Sequence, residues 1–175
     1  MLSSLIISTY NWPTALDLVL HSILNQVALV DEIIIADDGS KDDTKKIIEE
    51  YKGKFQIELV HVWHKDQGFR KAIILNKAFK IAKGDYIIQI DGDILLHKFF
   101  IKNHLDNAAK GFFLHGGRVF LNKEITIKCL KNRTFNFNFF SKGILNRLNI
   151  LYIPSLLFLF SYKSSSLNKT RGCNF

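Results

Sequence analysis

Cysteine and proline are scarce in this sequence: 175 residues contain two of each, Cys129 and Cys173, Pro13 and Pro154. The cysteines stand far apart, with no Cys-x-x-Cys pair and no Cys/His cluster. That pattern excludes a disulfide-stapled miniprotein, argues against structural zinc and fits a reducing compartment. Long apolar runs are missing too. The longest covers residues 150–160 and is broken by Pro154-Ser155, short of the roughly 20 residues a membrane-spanning helix needs. Residues 1–7 are apolar but lack a basic flank and run straight into Ser8-Thr9-Tyr10-Asn11. No secretory signal is read there, and a cytoplasmic location is expected.

Glycine signatures are absent where nucleotide folds require them. The first apolar run is followed by Ser8-Thr9-Tyr10-Asn11-Trp12 rather than Gly-x-Gly-x-x-Gly, and no Gly-Lys-Ser/Thr or Gly-x-Ser-x-Gly occurs. A dinucleotide-binding unit, a P-loop and a hydrolase nucleophile elbow are thereby excluded. Acid is nearly missing from the back of the chain. Residues 1–100 carry 12 Lys/Arg against 14 Asp/Glu, whereas residues 101–175 carry 12 against 2, and the balances of −2 and +10 give the net +8. A balanced front and a basic, aromatic back point to a polyanionic partner, a membrane surface or nucleic acid.

What is present suits a folded α/β domain: hydrophobic residues make up 47% and charged residues 23%, enough to bury a core. Leu5-Ile6-Ile7 reads as a buried strand. Asn11 is placed to cap a helix with Pro13 in its first turn, and Leu16, Val19, Leu20, Ile23 and Leu24 share one helical face. Ile33-Ile34-Ile35-Ala36 is too short for a helix and suits a strand covered on both faces. Ser40-Lys41-Asp42-Asp43 resembles a capping box for a helix that buries Ile47, Ile48 and Tyr51. A third strand fits 57–62. A third helix fits 69–82, with Ala72, Leu75, Ala78, Phe79 and Ala82 inward and Lys83-Gly84 as its C-cap. Tyr86-Ile87-Ile88-Gln89-Ile90 is the fourth strand, and residues 112–120 suit a fifth. Strands alternating with helices predict a parallel sheet with ligands beyond its carboxyl ends.

Three such ends carry candidate chemistry: Ser8-Thr9-Tyr10, Asp37-Asp38 and Asp91-Gly92-Asp93. Asp91 and Asp93 either form a polar turn or gather oxygens for a hard cation shared with phosphate, with Gly92 allowing close approach. Asp37-Asp38-Gly39-Ser40 reads as a strand-to-helix turn or as part of the same site. Arg70 and Lys71 put cations at a helix start, where they oppose the helix dipole and suit a diphosphate.

With these residues in place, the chain resembles the family 2 glycosyltransferases of the GT-A fold, a Rossmann-like, mostly parallel sheet with flanking helices. The resemblance is carried by Ile6-Ile7-Ser8-Thr9-Tyr10-Asn11, residues 33–40 with Asp-Asp-Gly-Ser, Asn76-Lys77-Ala78-Phe79, and Gly84-Asp85-Tyr86 through the Asp91-x-Asp93 (DXD) pattern. Residues 64–79 look most like bacterial capsule and lipopolysaccharide transferases related to chondroitin polymerase and the β-1,4-galactosyltransferases. The resemblance covers residues 3–122 and resumes at Thr170-Arg171-Gly172-Cys173-Asn174-Phe175.

It implies a UDP-sugar donor, a glycan or lipid-linked glycan acceptor, and Mn²⁺ or Mg²⁺. Thr9 and Tyr10 would line the base pocket, and Asp38 would bond the uracil ring. Arg70 and Lys71 would lie near the diphosphate, Gly92 would lie against the donor, Asp91 would reach ribose or metal, and Asp93 would ligate the metal. The reaction expected is an inverting single displacement, which needs a general base. The family's base lies in a Trp-Gly-x-Glu-Asp-like segment after the Arg-Gly-Cys-Asn motif. Beyond Asp93 this sequence offers only Asp106 and Glu124, in no matching context.

Residues 1–122 are therefore read as the nucleotide-sugar-binding core and 123–175 as the start of an acceptor-side region, truncated before that motif. A transferase is expected. The alternative is a nucleotide-sugar-binding fragment with little transfer, unless the base comes from elsewhere. Gly116-Gly117-Arg118 would open space near the donor sugar. The Phe/Asn alternation of residues 132–140 lacks any nucleic-acid module signature, so nucleic acid is set aside as a partner. Residues 144–162, edged by Lys142, Arg147 and Lys163, suit either peripheral docking on the anionic inner face of a membrane or packing against an acceptor subdomain.

Overall fold

The computed structural model describes residues 1–133 and 135–150. They fall into two compact units, Met1–Leu114 and the described part of His115–Asn174. The first unit holds four strands, β1 (Ser3–Thr9), β2 (Glu32–Asp37), β3 (Glu58–Trp63) and β4 (Tyr86–Asp91), and four helices, α1 (Pro13–Leu24), α2 (Asp42–Lys52), α3 (Lys71–Ile81) and α4 (Phe100–Asn107). The strands form one parallel sheet in the order β3-β2-β1-β4.

Residue parity explains the layering. On one face Leu5 and Ile7 of β1, Ile33 and Ile35 of β2, and Ile88 and Ile90 of β4 pack with Leu16, Val19, Leu20 and Ile23 of α1 and with Ile48 and Tyr51 of α2. On the other face Ile6, Ile34 and Ala36 meet Ile74 and Ala78 of α3. β1 and β2 are buried on both faces throughout, the pattern of uninterrupted apolar runs in a parallel sheet. Each such Ile or Leu contributes about 1.5–3 kcal/mol by leaving water. β1 pairs with β2 on one side and β4 on the other, so the strand order reverses around β1, and a crevice opens at the carboxyl ends there.

Several local expectations are corrected. Asn11 does not cap α1; it adopts a left-handed φ of 46° and its Oδ1 accepts from the Lys41 amide at 3.0 Å. Ser40 forms no capping box, because its Oγ accepts from the Asn11 amide at 2.8 Å and α2 starts after Lys41 without a side-chain cap. Leu24 is exposed. In α3 the buried residues are Ile74 and Ala78, while Ala72 and Phe79 are exposed: only a narrow strip of the helix rests on the sheet. Gly84 is not a left-handed cap; it lies where β1 passes so close that a Cβ would meet the Ser4 amide nitrogen at 2.6 Å.

Residues 112–120 form no strand, and in the second unit Leu121 makes a single antiparallel bridge to Ile144. Here α5 (Lys123–Asn132) is capped by Asn122, whose side chain accepts from the Ile125 amide at 2.9 Å. A short 3₁₀ turn, Arg147–Ile150, follows. Cys129 is buried and unbonded; Cys173, the Arg-Gly-Cys-Asn motif and most of 144–162 lie outside the described residues. No helix among the described residues is long and apolar enough to cross a membrane.

Candidate functional site

Two consecutive aspartates end β2, and each is bound by a histidine from the β3 segment. His61 Nε2 donates to Asp37 Oδ2 at 2.9 Å, and the Ser40 amide donates to Asp37 Oδ1 at 2.8 Å. Asp37 is buried in the turn it shapes. Asp38 accepts from His64 Nε2 at 2.7 Å on one oxygen and from the Arg70 amide at 2.9 Å on the other. Its own amide donates to the Thr9 carbonyl at 3.0 Å. Asp38 therefore ties together the ends of β1, β2 and β3 and the start of α3, with one lone pair left on each oxygen. His64 is buried, and its Nδ1 has no partner among the described residues.

The third group of residues comes from β4. Ser8 Oγ donates to Asp91 Oδ1 at 2.8 Å, and Lys71, in the first turn of α3, pairs with the same oxygen. The Gly92 amide donates to the Ser8 carbonyl at 2.7 Å. A Cβ on Gly92 would meet that carbonyl at 2.9 Å and the Thr9 side chain at 3.2 Å, so only glycine lets β4 end this close to β1. Asp93 is exposed and makes no ion pair or hydrogen bond among the described residues.

These ends surround an open cleft of about 230 Å³. Its polar floor comes from Ser8, Thr9, Asp38, Asp91 and Asp93 with Lys71; Tyr10, Trp12 and Phe69 form an aromatic rim, backed by Ile74. The volume is below the roughly 300–1,000 Å³ of a site that encloses a drug-sized ligand, so this cleft can cover only part of a larger one. Tyr10 donates its hydroxyl to Asp66 Oδ2 at 3.0 Å. The Gly68 amide and that hydroxyl hold the Asp66 carboxyl below the usual range, and the same bond raises the Tyr10 phenol. The loop between β3 and α3 is thereby tethered to the end of β1.

Of the residues singled out from sequence, Thr9, Tyr10, Asp38, Lys71, Asp91, Gly92 and Asp93 line one cleft. Arg70 does not. Its backbone serves Asp38, while its guanidinium reaches the Lys65 carbonyl at 3.4 Å. Sequence reasoning missed Trp12 and Phe69, although Phe69, 89% exposed beside Gly68, stands outside any buried helical stripe and could have been flagged on that ground. It also missed His64, whose partner is defined only by the fold.

No group of three or more His, Cys, Asp or Glu arranged for a metal occurs among the described residues. Asp91 and Asp93 nevertheless fit a cation that keeps its waters and shares phosphate oxygens, the usual habit of Mg²⁺, which needs one or two carboxylates. Of the later acids, Asp106 in the first unit does not line the cleft; it is bound by Lys102 at 2.7 Å on α4.

The sequence profile of Glycosyl transferase family 2 matches residues 4–165. The chain is 30% identical over 107 residues to chondroitin synthase of Escherichia coli, covering 61% of this chain and 15% of that protein. It is 32% identical over 103 residues to hyaluronan synthase of Pasteurella multocida, covering 58% and 10%. Among solved structures, S. aureus TarS 1–349 superposes with a TM-score of 0.53 at 26% identity, covering 61% of this chain and 32% of that one. TarS in complex with UDP gives 0.52 at 27%, covering 61% and 31%. The matched region thus spans 15% and 10% of the two synthases and just under a third of the TarS 1–349 chain.

Proposed function

The chain belongs to glycosyl transferase family 2 and has a GT-A sheet, and from that premise we propose that its cleft holds the UDP part of a sugar donor. The sugar would pass to a hydroxyl of a glycan or lipid-linked glycan in cell-surface polysaccharide synthesis. The observation that carries this reading is the meeting of carboxylates from the ends of β2 and β4 in one cleft at the carboxyl edge of the sheet, with Lys71 paired to Asp91 among them. The synthase relatives and the UDP complex of TarS support it.

Thr9, Tyr10 and the aromatic rim would take the base, where stacking on an aromatic face is worth ~1–3 kcal/mol. Asp38, held ready by His64 and the Arg70 amide, offers a fixed acceptor to the uracil N–H. The lining carries three carboxylates, Asp38, Asp91 and Asp93, against Lys71, a formal −2. A diphosphate brings further negative charge, and like charges 4 Å apart repel by about 4 kcal/mol at an effective dielectric constant of 20. Admission of the donor therefore requires a divalent cation, Mn²⁺ or Mg²⁺, held by Asp93 and Asp91. Such a cation, when bound, supplies Lewis-acid neutralisation of the departing diphosphate. Lys71 is the lining side chain able to add a positive charge to the same oxygens.

A second reading, a nucleotide-sugar-binding chain with little transfer, is favoured by one observation: among the described residues of the first unit, no acid beyond Asp93 lines the cleft. Calorimetric titration with UDP and several UDP-sugars, with Mn²⁺ and with chelator, tests the donor site. Binding that needs the metal is expected; equal binding in chelator contradicts it. UDP release on adding acceptor glycan then separates transfer from binding alone.

The second unit suits peripheral docking on anionic lipid at the cytoplasmic face. Arg118, Lys123, Lys128, Lys131, Arg133, Lys142 and Arg147 face one acid, Glu124, in residues 115–150, while Phe140, Leu145 and Leu148 are exposed. Such a surface combines charge attraction with apolar insertion. Flotation with anionic but not neutral vesicles is the expected result, and equal flotation with both would remove this reading.

A further inference from the structure

The two carboxylates of the Asp91-x-Asp93 pattern are not equivalent. Asp91 Oδ1 is occupied twice, by the Ser8 hydroxyl at 2.8 Å and by the Lys71 ammonium. Asp93 has neither an ion pair nor a hydrogen bond among the described residues. Lys71 is the one cation among the described lining residues, and it sits in the first turn of α3, the end of a helix that disfavours positive charge. Its contact with Asp91 offsets that cost. Both side chains remain about one third exposed, at 32% and 31%, so the pair is reachable from the cleft.

We propose that Lys71 is a resident counter-ion of Asp91 which leaves it for a nucleoside diphosphate when a divalent cation enters, so that cation and diphosphate bind as a pair. The inference rests on the donor-site reading above and adds the order in which charge is exchanged. A divalent cation arriving alone finds one open carboxylate, Asp93, and one already neutralised, with no third acidic ligand grouped beside them. A diphosphate arriving alone meets three carboxylates, and the single lining ammonium is committed to one of them. Arriving together, the cation takes over Asp91 and frees the ammonium for the phosphate oxygens. A lysine suits this exchange because its charge is compact and rides on a flexible four-carbon stem.

Mn²⁺ binding without nucleotide, followed by the electron paramagnetic resonance of the free ion, tests the proposal on wild type, Lys71→Met and Lys71→Arg, with melting curves to confirm folding. Removing the ammonium should raise affinity for Mn²⁺ alone by about fivefold, the upper range for a solvent-touched ion pair. Lys71→Arg should stay near wild type, and Lys71→Gln serves as a second neutral variant should Lys71→Met unfold. In the same proteins the gain in UDP affinity on adding Mn²⁺ should shrink for the neutral variants. Unchanged affinity for Mn²⁺ alone in a folded neutral variant, with UDP still bound in a Mn²⁺-dependent way, overturns the counter-ion role and leaves the donor site standing. Failure of wild type to bind UDP with Mn²⁺ overturns both.

Discussion

Asp38 shows what a single side chain contributes here, because its position depends less on its own strand than on what holds it. A buried carboxylate is costly unless its oxygens are paired, and His64 and the Arg70 amide pair both. Replacing His64 by leucine should leave one oxygen unsatisfied, lower the melting temperature and weaken UDP binding by about tenfold, the loss of one hydrogen bond to a charged group. His64→Gln, which retains a side-chain N–H, should recover much of both. Calorimetry and thermal melting check this, and unchanged UDP binding in a folded His64→Leu protein would remove Asp38's proposed role. At this scale a place in the cleft was readable where a buried apolar run stops: Thr9, Tyr10, Asp38, Asp91 and Asp93 all follow such a run and line it. His64 was not, since nothing in its neighbourhood of sequence shows that Asp38 lies beside it. Arg70 misled because its amide, rather than its cation, faces the site.

Elements were legible where burial is two-sided. The apolar runs of β1 and β2 read as strands because they are covered on both faces, and the stripe Leu16, Val19, Leu20, Ile23 named the buried face of α1. The facing of α3 was harder. Ala72, Leu75, Ala78, Phe79 and Ala82 make a plausible stripe, but on that side the sheet presents Ile6, Ile34, Ala36, Val60 and Val62, against which Ile74 and Ala78 are fully buried, Leu75 and Ala82 only partly, and Ala72 and Phe79 not at all. Residues 112–120 carry three phenylalanines and Val119, residues that suit a strand, yet such propensity is expressed only beside a pairing partner, and none forms a ladder with them among the described residues.

Packing of α4 beside β4 carries a pH dependence. His104 of α4 is buried, accepts the Tyr86 hydroxyl on Nδ1 at 2.9 Å, and is pushed down to about 4 by desolvation. An unfolded histidine titrates near 6.5, so between roughly pH 6.5 and 4 the unfolded chain binds the extra proton. Its contribution to stability is therefore complete above about pH 6.5 and declines as the pH falls toward 4, by at most ~1.4 kcal/mol for each pH unit. Urea unfolding across that window should show the decline in wild type and a flatter profile in His104→Phe; identical slopes would contradict it.

At the scale of the molecule, the first unit brings its chemistry to one edge of the sheet through the reversal of strand order around β1. Two strands on opposite sides of β1 end in carboxylates, and their parallel direction places all of them at the same edge. That convergence followed from reading alternating strands and helices. The central claim is that Asp38 from β2 and Asp91 and Asp93 from β4 serve one ligand and one cation. A crystal structure of the chain grown with UDP and Mn²⁺, using the anomalous signal of manganese, tests it most directly. The account predicts one manganese peak bonded to Asp93 and to diphosphate oxygens, with the uracil against Asp38 and Tyr10. Manganese away from Asp93, or UDP bound outside this cleft, would contradict it.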